Sequence, residues 1–233
     1  MDKKIVLLIV EGPSDQDALE AVFAKIFESN AVRVHVVHED ITTKRIYKNS
    51  TIKIEINKII NQFLNDNHLK RKEIQQVIHI VDMDGAYIPD SAVVLDTSLD
   101  QGDNETYIMY ELSKIRTNKP DSIIIRNRIK RERIDSITHV REIAKTPYQV
   151  YYMSYCLDHV LYNKQNSSDE EKDHDSTEFA IRYKDDIEGF KTFISKSIFS
   201  VQGDYLSTWN FIKQNGNSLL RYSNLWISLN DAI

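Results

Sequence analysis

Ile5-Val6-Leu7-Leu8-Ile9-Val10-Glu11-Gly12 and Val77-Ile78-His79-Ile80-Val81-Asp82-Met83-Asp84-Gly85 decide how the chain is read. Each is an apolar run closed by an acid and then a glycine. Such runs mark strands covered on both faces in a parallel sheet, because a strand with one wet face alternates instead. Behind the first run, Pro13-Ser14-Asp15 punctuates the chain, and Ser14 with Asp17 is the expected N-cap pair. Leu19, Val22, Phe23 and Ile26 follow at helical spacing, and a strand is expected over 31–37 with Val32, Val34 and Val36 on one face. The stripe Ile52, Ile56, Ile59, Ile60 and Phe63 predicts a long amphipathic helix. Strand–helix–strand–helix–strand implies right-handed parallel crossovers and an α/β sheet.

A fourth strand over 148–155 completes the expected core, a mostly parallel four-stranded sheet flanked by helices. Residues 1–160 form one domain on this reading. A mixed insertion at 86–147 has loop composition around 96–105 and a helix around 129–144. The region 163–178 is dense in Asn, Ser, Asp, Glu and Lys and reads as a solvated loop. Residues 161–233 then form a polar loop and a small helical C-terminal extension packed on the core. Its helices are marked by Phe190, Phe193 and Ile194 and by Leu206, Trp209 and Ile212, with Gly216 suited to a helix stop.

The 233 residues are 41% hydrophobic and 28% charged, the balance of an ordinary globular domain. No apolar run approaches the ~18–20 residues of a membrane span. The run at 5–10 is also too short for a signal peptide, and Glu11-Gly12-Pro13 stands where a small-residue cleavage site belongs. A cytoplasmic protein without membrane contact is expected. The single cysteine, Cys156, excludes an internal disulfide and a multi-thiolate zinc cluster, and reads as a small hydrophobe near a strand end. A net charge of −5 does not advertise nucleic-acid binding, but local patches decide that property.

In an open parallel sheet, function gathers outside the carboxyl ends of the strands. Two expected strands end there in acids. Carboxylates brought together repel unless a cation neutralises them, and a hard divalent ion takes such oxygen ligands. Residues i and i+2 of an extended chain point the same way, so Asp82 and Asp84 are expected to face one ion together. Glu-Gly after a strand is common by itself, and Asp-x-Asp-Gly is less so. Their combination points to a divalent-metal site at Glu11, Asp82 and Asp84.

These residues resemble the Toprim domain of topoisomerases, bacterial primases and several nucleases. The resemblance covers roughly residues 3–85 and the strand near 148–160. It implies a Toprim-like (Rossmann-like) fold, with Glu11 as acid/base or metal ligand and Asp82 and Asp84 binding Mg²⁺. Glu11-Gly12-Pro13-Ser14-Asp15 looks like OLD-type (overcoming lysogenisation defect) Toprim nucleases, where a second acid four residues on helps hold a second metal. Asp15 is thereby a ligand candidate; a first-turn acid favoured by the helix dipole is its other reading. Asp158 stands where some Toprim nucleases carry a further acid, which makes it a candidate outer ligand. His159 is a weaker candidate, and a hydrogen-bonded structural histidine is its plainer reading.

The resemblance implies a nuclease that hydrolyses phosphodiester bonds of DNA or RNA with one or two Mg²⁺ or Mn²⁺ ions, a pair standing ~3.5–4 Å apart. A topoisomerase needs a nucleophilic tyrosine from a separate domain, and a primase needs a zinc module; neither is present. There is no P-loop, so a separately encoded ATPase is the expected partner, and phage defence is the setting by family analogy. Arg126, Arg128, Lys130, Arg131 and Arg133 are the candidate nucleic-acid-binding residues, continued by Arg141 and Lys145 and joined by Lys44, Arg45 and Lys48. A solvated helix laced with i,i+4 ion pairs is the other reading of that stretch, and Lys164 reads as a solvated loop residue. Two rival functions are a haloacid-dehalogenase-like phosphatase using Asp82 and Asp84, and a non-catalytic Toprim module that binds a partner protein. The sequence does not separate DNA from RNA, and it gives no oligomeric state.

Overall fold

A computed structural model describes residues 4–28, 32–43 and 50–230. Among the described residues eight strands follow one another: β1 (Lys4–Val10), β2 (Val32–His38), β3 (Ile74–Asp82), β4 (Val93–Leu95), β5 (Ile108–Tyr110), β6 (Ile115–Thr117), β7 (Glu142–Ile143) and β8 (Thr146–Met153). The helices are α1 (Pro13–Glu28), α2 (Ile52–Asp66), α3 (Pro120–Thr138), α4 (Leu157–Tyr162), α5 (Asp169–Tyr183), α6 (Ile187–Lys196), α7 (Tyr205–Ile212) and α8 (Trp226–Asn230).

The main sheet runs β2-β1-β3-β8-β7, with the first four strands parallel and β7 antiparallel at the edge. Five strands therefore replace the expected four. The extra strand is a two-residue hairpin arm whose turn, Ala144-Lys145, holds both residues at positive φ (48° and 68°). That is the turn geometry a two-residue hairpin needs, but without the Asn-Gly that normally announces it. The apolar run of β1 lies wholly inside the core, as its composition requires, and each such buried Leu, Ile or Val contributes ~1.5–3 kcal/mol. β2 pairs on one side only, with β1, and its side chains are largely half-buried.

α1 buries Ala18, Leu19, Val22, Phe23, Ile26 and Phe27, and it begins at Pro13 rather than after Ser14. The Asp15 carboxylate reaches back to accept from the Gly12 N–H at 2.9 Å, so the cap sits two residues earlier than Ser14 and Asp17 suggest. α2 starts behind the cap Thr51 and buries Ile52, Ile56, Ile60, Phe63 and Leu64.

Two regions depart further from the sequence reading. The insertion helix spans Pro120–Thr138, not 129–144, and the insertion also contains a small sheet ordered β4-β6-β5. The buried residues of α3 are Ile123, Asn127, Lys130, Ile134, Ile137 and Thr138. Three of these six are polar, which is why the apolar period is faint. The acidic stretch expected as a loop is α5 from residue 169 onward. Ser168 Oγ accepts from Glu171 N at 3.3 Å, and the Glu171 carboxylate accepts from Ser168 N at 2.8 Å, a complete capping box. Ser176, Phe179 and Tyr183 are the only α5 residues buried, and they dock it beside α1 and α6.

The C-terminal region is part of the same core. Trp209 of α7 packs edge-on to Tyr152 at 5.0 Å, and Asn224 Oδ1 accepts from Tyr152 N at 2.9 Å. Gly85 N donates to Ser218 O at 3.2 Å, so this segment also backs the turn after β3. Among the described residues no helix is long and apolar enough to cross a membrane.

Candidate active site at the strand ends

Parallel strands deliver their carboxyl ends to one edge, and β1, β2 and β3 each stop there in or just before an acid. The Glu11 side chain is only 11% exposed. One carboxylate oxygen accepts from Thr42 Oγ at 2.9 Å, and the other stands 3.2 Å from Lys130 Nζ. Burial, opposed by Lys130 and reinforced by Asp40 and Asp84, raises its carboxyl to about 8. Asp40, just past β2, accepts from the backbone N–H groups of Thr42 and Thr43, each at 3.0 Å, and from Thr43 Oγ. Arg133 donates to the carbonyls of Ile41 (3.3 Å) and Thr42 (3.0 Å), which fixes the same loop from α3.

Asp82 ends β3. Burial lifts its carboxyl well above the ordinary carboxylate range, and repulsion from Asp15, Glu11 and Asp84 adds to this against the pull of Lys130. The extended chain does not continue through Asp84. Asp84 has φ +46° and Gly85 φ +69°, so the chain turns, and the Asp84 carboxylate is bonded to Lys130. Asp82 and Asp84 are neighbours, but the expected shared i, i+2 direction is lost because left-handed residues break the alternation. Gly85 is required at this turn, since a Cβ there would also stand 2.6 Å from Leu219 Cδ2. Arg126 Nη2 donates to Asp84 O at 3.0 Å and its Nη1 to Tyr110 Oη at 2.7 Å, which holds the turn in place.

Asp15, in the first turn of α1, is raised to about 6. Burial is the main cause, its bond from Gly12 lowers it, and Asp158 raises it. Asp158 is only 6% exposed, and its Oδ1 has no hydrogen-bond partner among the described residues. Burial raises its carboxyl as well. Glu11, Asp15, Asp40, Asp82 and Asp158 line one cleft of about 540 Å³. Asp169, Lys172 and Asp173 of α5 form part of its wall.

The sequence-derived acids Glu11, Asp15, Asp82 and Asp158 therefore line the cleft, and Asp84, its side chain 22% exposed, is bonded to Lys130. The basic row divides. Lys130 is wholly buried against Glu11 and Asp84, so its place among surface phosphate contacts is corrected, whereas Arg126 and Arg133 are half-buried and donate to the carbonyls of Asp84 and of Ile41 and Thr42. Arg128 is exposed and 3.5 Å from Asp90, and Arg131 is half-buried. Arg141 stacks on Tyr205 at 4.4 Å, and Lys145 sits in the hairpin turn. Lys44, Arg45 and Lys48 lie outside the described residues. Lys164 pairs with Asp175 at 2.6 Å. His159 is buried against Tyr155, and its imidazole is lowered to about 4 by burial and then by Arg221, so it stays neutral. Burial also pushes the Cys156 thiol up, which suits an inert side chain.

Three contributors went unnoticed in the sequence. Asp40 had a signal, because the strand at 31–37 also runs into acids, Glu39-Asp40. Thr42 and Lys172 had none, as nothing local marks a threonine or a helix lysine that tertiary packing turns toward a cleft.

The cleft gathers carboxylate oxygens, the donor type of a hard divalent cation, and burial disfavours their charge. Among the described residues no three His, Cys, Asp or Glu side chains stand close enough to close a shell by themselves. Mg²⁺ needs no such shell, since it keeps several waters and commonly takes one or two protein carboxylates. Comparison of the chain with protein-family models, curated proteins and solved structures gave no match.

Proposed function

We propose that this chain is a Toprim-like, divalent-metal-dependent nuclease that hydrolyses phosphodiester bonds of DNA or RNA. The observation that carries the reading is the gathering of Glu11, Asp15, Asp82 and Asp158 on one cleft at the carboxyl edge of a parallel sheet. These residues, with Asp84, are the ones available to Mg²⁺ or Mn²⁺, which when bound lowers the pKa of a water and stabilises negative charge on phosphate. Glu11, which Thr42 and Lys130 steady, is the residue we assign to accept a proton from an attacking water. Lys172 faces the same cleft from α5, where it suits a phosphate oxygen. Exposed Arg128 and half-buried Arg126, Arg131 and Arg133 remain of the basic row for more distant phosphates. A separately encoded ATPase remains the partner expected from the resemblance, and phage defence the setting.

The haloacid-dehalogenase alternative needs both Asp82 and Asp84 beside the substrate, and the bonding of Asp84 to Lys130 weighs against it. The test is incubation of purified protein with plasmid DNA and with RNA, in Mn²⁺ and in EDTA. Cleavage in Mn²⁺ that is lost in Glu11→Ala and Asp82→Ala is the expected result. Absence of cleavage by the protein, alone or with an ATPase encoded beside it, overturns the nuclease reading in favour of a non-catalytic module.

A further inference from the structure

We propose that the chain forms a two-fold dimer in which β2 pairs antiparallel with β2 of a second copy, joining their main sheets into one continuous sheet. This contact is independent of the chemistry at the strand-end cleft.

The two edges of the main sheet are built differently. β7 closes one edge with two residues, too short to template a further strand. β2 forms the other with seven, in unbroken register with β1 and without a proline. Glu39 N donates to Val10 O at 2.9 Å, and the backbone groups of an extended strand alternate in direction, so Val37, His35 and Arg33 turn theirs toward β1. Val34, Val36 and His38 therefore turn their N–H and C=O groups away from the sheet, where no strand meets them among the described residues. A bare edge of this length, rich in valine, recruits another strand unless something covers it.

Charge selects a second copy as the occupant. Beside β2 lies a groove of about 620 Å³ whose charges are Lys25, Arg33 and Lys184 against Glu28 and Asp185. A nucleic acid would be repelled by the acids, and a basic segment by the lysines and the arginine. A two-fold axis brings this patch against itself, so that the bases of each copy face the acids of the other. Ala21 and Ala24 of α1 line the same groove, both exposed, and keep that flank low enough for a second α1 to come alongside. Full overlap of β2 with its counterpart puts the axis at His35, with Val34 opposite Val36 of the second copy. Burial and then Arg33 lower the His35 imidazole, so the two that meet at the axis are uncharged at neutral pH.

The test is sedimentation equilibrium of the full chain as wild type and Val36→Pro, with disulfide trapping of His35→Cys. Wild type is expected at twice the mass of the chain. Val36→Pro deletes an outward N–H and leaves the bonds to β1 intact, a substitution that edge strands tolerate. It is expected to sediment as a monomer. His35→Cys sets two thiols across the axis at a non-hydrogen-bonded pair, where Cα atoms stand about 4.5 Å apart, inside the roughly 4.4–6.8 Å that a disulfide spans. Mild oxidation is expected to link it into a covalent dimer on denaturing electrophoresis, whereas wild type, with Cys156 alone, stays unlinked. A wild type that is monomeric at every soluble concentration, a Val36→Pro dimer as tight as wild type, or no disulfide in His35→Cys overturns the pairing. The wild-type mass and the His35→Cys linkage decide the matter by themselves if Val36→Pro does not fold.

Discussion

Asp82→Asn is expected to stabilise the metal-free protein while disabling it. In the folded chain the Asp82 carboxyl sits well above its ordinary 3.8, because burial and three neighbouring acids oppose its charge. The unfolded chain ionises it normally. Between the two values the folded state binds the extra proton, so stability falls as pH rises from about 4 toward the folded value. At pH 7 the ceiling on this cost is ~4 kcal/mol, at 1.36 kcal/mol per pH unit above 3.8. Rearrangement of the coupled acids and water in the cleft reduce it to about 2 kcal/mol. Asparagine keeps the shape and carries no such cost. In EDTA at pH 7, Asp82→Asn should therefore melt roughly 4–8 °C above wild type, given the scaling for a chain of this length. At pH 5 the ceiling drops to ~1.6 kcal/mol, and most of the gap should close. In Mn²⁺ the order should invert, since an ion at 100 times its Kd adds ~2.7 kcal/mol to wild type. Thermal melts at the two pH values, with and without Mn²⁺, read all of this. A variant less stable than wild type in EDTA at pH 7, or a gap that does not shrink at pH 5, would refute the reasoning.

Gly85→Ala should cost about 1–3 kcal/mol, because its φ of +69° and the Leu219 contact both reject a Cβ; an unchanged urea midpoint would refute it. Ser168→Ala should cost ~1 kcal/mol through loss of the α5 cap, whereas a solvated loop at that point would lose nothing measurable by urea denaturation. Lys172→Gln should leave the melting temperature within about 1 °C and lower cleavage in Mn²⁺ by roughly 10–100-fold. Full activity in that variant would remove Lys172 from the phosphate-binding role.

Much of the core was legible because local composition and final burial agree. β1 is a continuous apolar run and is buried throughout; α2 carries its apolar stripe on the face that packs. The acids at the ends of β1 and β3 were legible for the same reason, since parallel topology fixes where strand ends go. What escaped was set by tertiary contact. Nothing local distinguishes α5 from a solvated acidic loop except its cap and two aromatic residues, Phe179 and Tyr183. The Asp84 turn is not legible because the alternation rule presumes extended backbone, and the chain takes a positive φ at Asp84, two residues after Asp82.

Lys130 is the most instructive failure, because the same residues support opposite conclusions at two levels. Along the sequence it is one base in a basic run, and a charge run is ordinarily a solvated face. In the fold, the helix period buries Lys130 wholly and leaves Arg126 and Arg133 half-buried on the same side of α3. A buried ammonium is tolerated only where carboxylates answer it, and Glu11 and Asp84 do. These carboxylates come from the ends of β1 and β3, more than forty residues earlier in the chain. The dependence is mutual, since two half-buried acids at the sheet edge also need the lysine. The insertion that carries α3 is thus a structural condition of the strand-end site, and its removal would leave Glu11 and Asp84 without their counter-charge. An appended domain would leave the acids as they were; this one completes them.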